Sequence, residues 1–228
     1  MFPVSVFPSL RRETFPFFRT MTAERMRDRI GRSGGRRYEE YCSSFGSKID
    51  CFPMRNFWTQ LPKPFFAMAP MADVTDAAFR RLFARYGKPD VTWTEFVSAD
   101  GLCHPVGRQV LMTDLLYTEA ERPIVAQVFT AYPERMREAA ALIAGLGFDG
   151  LDINMGCPDK SILKQGAGAK LMQNPSLAQE LIVAAKEGVA GRIPVSVKTR
   201  IGFNANEIET WIPVLLAAEP AAITVHAR

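Results

Sequence analysis

Cys157 is the first residue in this sequence whose setting could do chemistry. It follows the run Asp152-Ile153-Asn154-Met155-Gly156, in which an apolar strand meets a glycine turn, and it precedes Pro158. A thiol in a polar loop, with Lys160 and Lys164 close behind, can act as an acid or a nucleophile. Most cysteines are instead small buried hydrophobes; the Gly- and Pro-bounded polar setting favours a functional thiol here. Lys198 ends a second apolar run, Val195-Ser196-Val197-Lys198-Thr199-Arg200, and Gln127 and His226 hold comparable places near the ends of two more. A strand-end lysine can simply snorkel to water. Together, however, the three side chains make a set of neutral and cationic donors, which suits an electron-rich planar ring such as a flavin better than a metal ion. The loop Lys164-Gln165-Gly166-Ala167-Gly168-Ala169-Lys170-Leu171-Met172 is a weaker signal; its small residues would let main chain approach a ligand closely.

Such residues converge only if strands end side by side. Six apolar runs predict strands at Phe66–Met71, Val91–Val97, Ile124–Phe129, Gly150–Gly156, Val195–Arg200 and Ala222–Arg228. Near-continuous apolar strands alternating with helices indicate a parallel α/β sheet covered on both faces. Asp76 caps a predicted helix through Arg85 whose inward face is Phe79, Leu82, Phe83 and Tyr86, and Gly87 stops it. Pro133 opens a helix to about Ala144. Asn174-Pro175 opens another, with Leu177, Leu181 and Ala184 or Ala185 facing inward. A segment from Asn206 should be kinked or split by Pro213. A doubly wound sheet would spread the polar strand ends apart and wants a GxGxxG turn after its first strand, which is missing. A barrel gathers them at one mouth. The expected fold is therefore a partial TIM (β/α)8 barrel with about six of its eight strands.

Bulk properties fit one soluble core. The chain has 228 residues, 47% hydrophobic and 23% charged, with no apolar run near the ~20 residues of a membrane span. Cys42, Cys51, Cys103 and Cys157 have no CxxC spacing, and His104 and His226 stand alone, so neither a metal site nor a disulfide framework is expected. A reduced, cytoplasmic protein is the natural expectation. The formal charge of +4 lies wholly in residues 1–53, where 10 Lys/Arg face 6 Asp/Glu; the remaining body is neutral. Net charge thus says little about nucleic acid. Residues 1–53, with scattered Phe-Pro pairs and an Arg-rich stretch, read as a disordered or non-native extension, or else a transit peptide. Met54 offers a start for the body, 54–228.

Five motifs carry a family resemblance, in order and spacing. They are Phe66-Ala67-Met68-Ala69-Pro70-Met71-Ala72-Asp73-Val74-Thr75-Asp76, Asn154-Met155-Gly156-Cys157-Pro158, Gly166-Ala167-Gly168-Ala169-Lys170-Leu171-Met172, Val197-Lys198-Thr199-Arg200 and Val225-His226-Ala227-Arg228. From about Phe57 onward the chain resembles the tRNA-dihydrouridine synthases. The resemblance implies FMN as cofactor and NADPH or NADH as reductant, with tRNA as partner and neither a membrane nor a metal. It implies that Pro70, Met71 and Ala72 line the flavin, that Gln127, Lys198 and His226 hold its ring, and that Asn154 and Arg200 serve the substrate. Reduced flavin would deliver a hydride to C6 of a flipped-out uracil, and Cys157 would protonate C5. A thiol with an ordinary pKa near ~8.5 is mostly protonated at neutral pH, as an acid must be.

The family's pattern continues with two more strands, whose loops bind the flavin phosphate, and a helical tRNA-binding domain. Neither is found before Arg228, so the chain reads as a fragment with a missing C-terminal half and impaired activity. Two rivals remain: an FMN barrel enzyme of the dihydroorotate or dihydropyrimidine dehydrogenase type, and a non-catalytic RNA-binding remnant.

Overall fold

Alternation of side chains decides how the sheet is built. In a computed structural model that describes residues 56–227, strand β1 spans Thr92–Ser98, β2 Ile124–Phe129, β3 Gly150–Met155, β4 Val195–Arg200 and β5 Ala222–His226. All four neighbouring pairs are parallel, and the strands lie in chain order β1-β2-β3-β4-β5. A doubly wound sheet reverses its order at a switch point. This one does not, and it forms an arc of a (β/α)8 barrel.

The first of the six expected strands is much reduced. Phe66–Met71 contributes a single parallel bridge, Ala67 to Val91, with Met68 N–H donating to Val91 O at 2.9 Å. Pro64 and Pro70 bracket the segment and supply no N–H. The Asp90 carboxylate, not a strand, takes the Phe66 N–H at 2.8 Å. The expectations for residues 1–53, Met54 and Arg228 lie outside the described residues.

Three helices cover the outer face much as expected. They are α1 (Ala77–Tyr86), α4 (Pro133–Gly145) and α6 (Pro175–Val189). Asp76 Oδ1 accepts from Phe79 N–H at 2.7 Å and Asn174 Oδ1 from Leu177 N–H at 3.3 Å, so both predicted caps are made. Gly188 lets α6 lie against α4: a Cβ there would stand 2.3 Å from Arg137 O. Ile124, Ala126, Val128, Leu151, Ile153, Met155 and Val197 meet Met136, Ile143, Leu181 and Ile182 in the main core, all at most 2% exposed.

Elsewhere the helices depart from expectation. Between β1 and β2 run two short helices, α2 (Ala99–Cys103) and α3 (Pro105–Leu111), which Gly101, Pro105 and Gly107 hid by breaking the apolar period. A short helix α5 (Lys160–Lys164) follows Cys157. Helix α7 (Ile208–Leu216) passes through Pro213 as one element, because so short a helix loses only one main-chain bond there. The expected inward face of α1 is not inward. Leu82, Phe83 and Tyr86 are 42%, 40% and 57% exposed, while Arg80 is fully buried. An ion pair overrides the apolar stripe: Arg80 Nε meets Glu121 Oε2 at 2.8 Å with both side chains at 0% exposure.

Candidate active site

The core residues of β2, β3 and β4 alternate with a second set that faces the other side of the sheet. That set is Gln127 on β2, Asp152 and Asn154 on β3, and Ser196, Lys198 and Arg200 on β4. The register places Gln127 beside Asp152, Asn154 beside Lys198, and Arg200 beside His226 of β5. The sequence-predicted residues Gln127, Asn154, Lys198, Arg200 and His226 are thus brought together on one surface.

Asp152, absent from the sequence-based set, lies at its base. It is fully buried and accepts from Ser196 Oγ at 2.5 Å and from Gln127 Nε2 at 2.6 Å. Asn154 Nδ2 donates to Gln127 Oε1 at 3.1 Å. Asn154 Oδ1 in turn accepts the main-chain N–H groups of Gly156 at 3.1 Å and Cys157 at 2.9 Å. The one signal in the sequence was an aspartate in the middle of an apolar strand, where charge is costly without partners. Gln127 therefore has two side-chain partners, Asp152 and Asn154.

Cys157 is half-buried, and its loop is held from three sides. Asn154 takes its N–H, Ala169 N–H donates to its carbonyl at 2.9 Å, and Arg200 Nε donates to Gly156 O at 2.6 Å. Gly168 has φ +61°, and a Cβ there would stand 2.6 Å from Cys157 O. The small residues of the 164–172 loop thus serve close approach, and what they approach is the main chain of Cys157.

Electrostatics set the site's proton chemistry. Burial pushes the Asp152 carboxyl up to about 6, against bonds from Gln127 and Ser196 and the Lys198 charge, which lower it; Trp93 Nε1 helps without completing a regular hydrogen bond. Lys198 is half-buried, and its ammonium is pushed below the usual lysine range by that burial; Asp152 opposes this and Arg200 adds to it. A raised carboxyl pKa means the folded chain holds the proton more tightly than the unfolded chain, which ionises near 3.8. Below that value both states hold it. Above about 6 both are ionised, and the folded state carries a cost of about 3 kcal/mol. Stability relative to Asp152→Asn should therefore fall by about 3 kcal/mol as pH rises from ~4 to ~7, as read from urea unfolding of both proteins at each pH. A pH-independent difference would place Asp152 in a wetter setting.

Pro70, Met71 and Ala72 lie on the β1 flank and share no hydrogen bond with Cys157 or Lys198. Pro70 is half-buried; Met71 and Ala72 are exposed. Buried Thr75 closes this turn: Met71 N–H donates to Thr75 Oγ1 at 3.0 Å, and that hydroxyl donates to Met71 O at 3.1 Å. Asp73, at φ +58°, donates its N–H to Glu95 Oε1 on β1 at 2.5 Å. Burial raises the Glu95 carboxyl, with neighbouring Asp114, Asp76 and Asp73 adding to the effect. Among the described residues no group of three or more His, Cys, Asp or Glu could hold a metal ion, and no helix is long and apolar enough to cross a membrane.

Comparison with known proteins shows the family. Residues 67–228 match the family described as Dihydrouridine synthase (Dus). A Bacillus subtilis (strain 168) protein named "Probable tRNA-dihydrouridine synthase 2" is 45% identical over 174 residues, covering 76% of this chain and 53% of the relative. Proteins named "Probable tRNA-dihydrouridine synthase" from Staphylococcus aureus (strain COL) and Staphylococcus epidermidis (strain RP62A) are each 41% identical over 174 residues, 76% of this chain and 52% of theirs. The chain thus spans about half the length of the curated relatives it matches. With most of its described residues inside the matched region, and a cysteine loop and strand-end donors on one arc of a barrel, the chain belongs to the dihydrouridine synthase family.

Proposed function

We propose that this chain acts in the reduction of uridine to 5,6-dihydrouridine in tRNA. One observation carries the reading: a half-exposed thiol, Cys157, fixed by three main-chain contacts beside a half-buried ammonium at adjacent strand ends. Bound FMN, reduced by NADPH or NADH, would supply the two electrons that saturate the C5–C6 bond. The donor set fits such a group, because burial makes the Lys198 charge costly until an anionic partner arrives. Lys198 would stabilise negative charge on the ring, with His226 at its flank and buried Gln127 supporting the floor beneath. The segment Pro70-Met71-Ala72, half-buried at Pro70 and exposed at Met71 and Ala72, would form a shelf. Cys157 would hand its proton to uracil C5, and Asn154 and Arg200 would keep that thiol in place and orient the base. Uracil must leave its stack to reach this surface. A reducing compartment such as the cytoplasm would keep the thiol competent.

Among the described residues, the arc of five strands leaves the outer edge of β5 unpaired. Leu216 and Val225, 56% and 40% exposed, line an open groove between α7 and β5. We propose that this edge and groove receive the elements that complete an eight-stranded barrel, and with them the phosphate end of the cofactor.

The decisive assay supplies unmodified tRNA, FMN and NADPH, with and without a polypeptide carrying those remaining elements, and reads dihydrouridine by nucleoside mass spectrometry. Reduction of free uracil or orotate instead of tRNA would overturn the proposal in favour of a small-pyrimidine reductase. Lys198→Met should weaken FMN binding roughly ten- to hundredfold, the worth of one charge-assisted bond, as measured by quenching of flavin fluorescence in the assembled protein. Unchanged affinity would take Lys198 away from the ring.

A further inference from the structure

We infer that Asp152 is a positioning residue whose carboxylate, acting through Gln127 and Asn154, dictates the main-chain conformation that presents Cys157. A carboxylate only accepts hydrogen bonds. The Gln127 side chain must therefore turn its NH2 toward Asp152, as it does at 2.6 Å, which leaves Oε1 facing Asn154. That oxygen obliges Asn154 to turn its NH2 inward, at 3.1 Å, and so to aim Oδ1 at the turn. The turn needs an acceptor there, because Gly156 and Cys157 both point N–H groups at it. The two ends of the chain independently demand the same polarity. Reverse either amide and donors face donors at the cysteine loop.

Burial enforces this order. Asp152 and Gln127 are fully buried, Ser196 is 1% exposed and Asn154 7%, so no water is at hand to rescue a reversed amide. Of the groups facing Asp152, Trp93 on β1, Gln127 on β2 and Ser196 on β4 are neutral, and Lys198 on β4 is the one charged neighbour. Ser196 satisfies the second carboxylate oxygen. The inference bears on catalysis through the reading of Cys157 as proton donor, but its test does not use that reading.

The test is amide hydrogen exchange at single-residue resolution in the full chain, read at Gly156 and Cys157 and at the β3 amides of Leu151 and Ile153. Asp152→Asn replaces an acceptor-only group with an amide that can also donate, so the polarity is no longer dictated from this end, and protection at Gly156 and Cys157 should fall by about tenfold or more while β3 holds. Adding Gln127→Glu moves the carboxylate one position along: the side-chain amide introduced by Asp152→Asn can then donate to it, Asn154 must again turn its NH2 inward, and protection at both turn amides should return. A structural role alone would lower protection across β3 and would not respond to the exchange of charge. Unchanged turn amides in Asp152→Asn, a uniform loss along β3, or a double variant that fails to restore them, whether through exposed amides or loss of fold, would overturn the inference. Dihydrouridine formation is absent from these readouts, so failure of the proposed activity is distinguishable from failure of the network.

Discussion

On the proposed reading, and with the remaining barrel elements supplied, Cys157→Ala should abolish most dihydrouridine formation while leaving flavin binding and its reduction by NADPH intact. A positioned general acid contributes roughly a hundred- to ten-thousandfold, and the variant should lose turnover in that range. The groups that hydrogen-bond the loop, Asn154, Arg200 and Ala169, meet its main chain, and the loop keeps those bonds when the side chain is cut back to a methyl. Single-turnover kinetics separate the steps. The reductive half-reaction should match the parent, and the decay of reduced flavin on adding tRNA should become slow. Parental rates in both halves would remove Cys157 from proton delivery.

The second large effect is on stability. Arg80 bonds Glu121 through Nε, Thr75 O through Nη1 at 2.6 Å and Leu116 O through Nη2, all out of water. Glu121 Oε1 also accepts Thr118 N–H at 2.7 Å and its hydroxyl at 2.9 Å. Removing one partner of a buried pair strands the other, at a cost of about 3–5 kcal/mol. Arg80→Met should lose that much in denaturant melts. Arg80→Met combined with Glu121→Leu should be more stable than Arg80→Met alone, since no orphan charge remains. A single variant within about 1 kcal/mol of the parent would mean that water reaches the pair. Because Thr75 closes the Met71 turn and Arg80 holds Thr75, the same variant should also loosen the shelf proposed for the ring.

Much of this protein was legible residue by residue. Ile124–Phe129 and Val195–Arg200 are strands with the predicted bounds, and the predicted caps at Asp76 and Asn174 are made. Each depends on a few neighbours in sequence: apolar runs, a side chain that reaches three residues ahead, a proline in a first turn. The gathering of Gln127, Asn154, Lys198 and Arg200 was legible too, because strand-end positions in a parallel arc converge whatever the details.

What stayed hidden depends on partners far along the chain. The predicted inward face of α1 left Arg80 out; Glu121, 41 residues on, makes it the buried face and turns Leu82 and Phe83 outward. Phe66–Met71 looked like a strand, and only the position of Asp90 and Val91 shows how little of it pairs. The small residues of the 164–172 loop were expected to approach a ligand; within the fold they approach the main chain of Cys157, whose carbonyl takes Ala169 N–H. Asp152 was one odd acid in an apolar strand until Gln127, 25 residues earlier, and Ser196, 44 later, came beside it. Local pattern determines which segments become strand or helix, since those energies are set within a turn or a pleat. Which polar group a buried charge meets is set by register between distant strands, and that exists only once the sheet has formed.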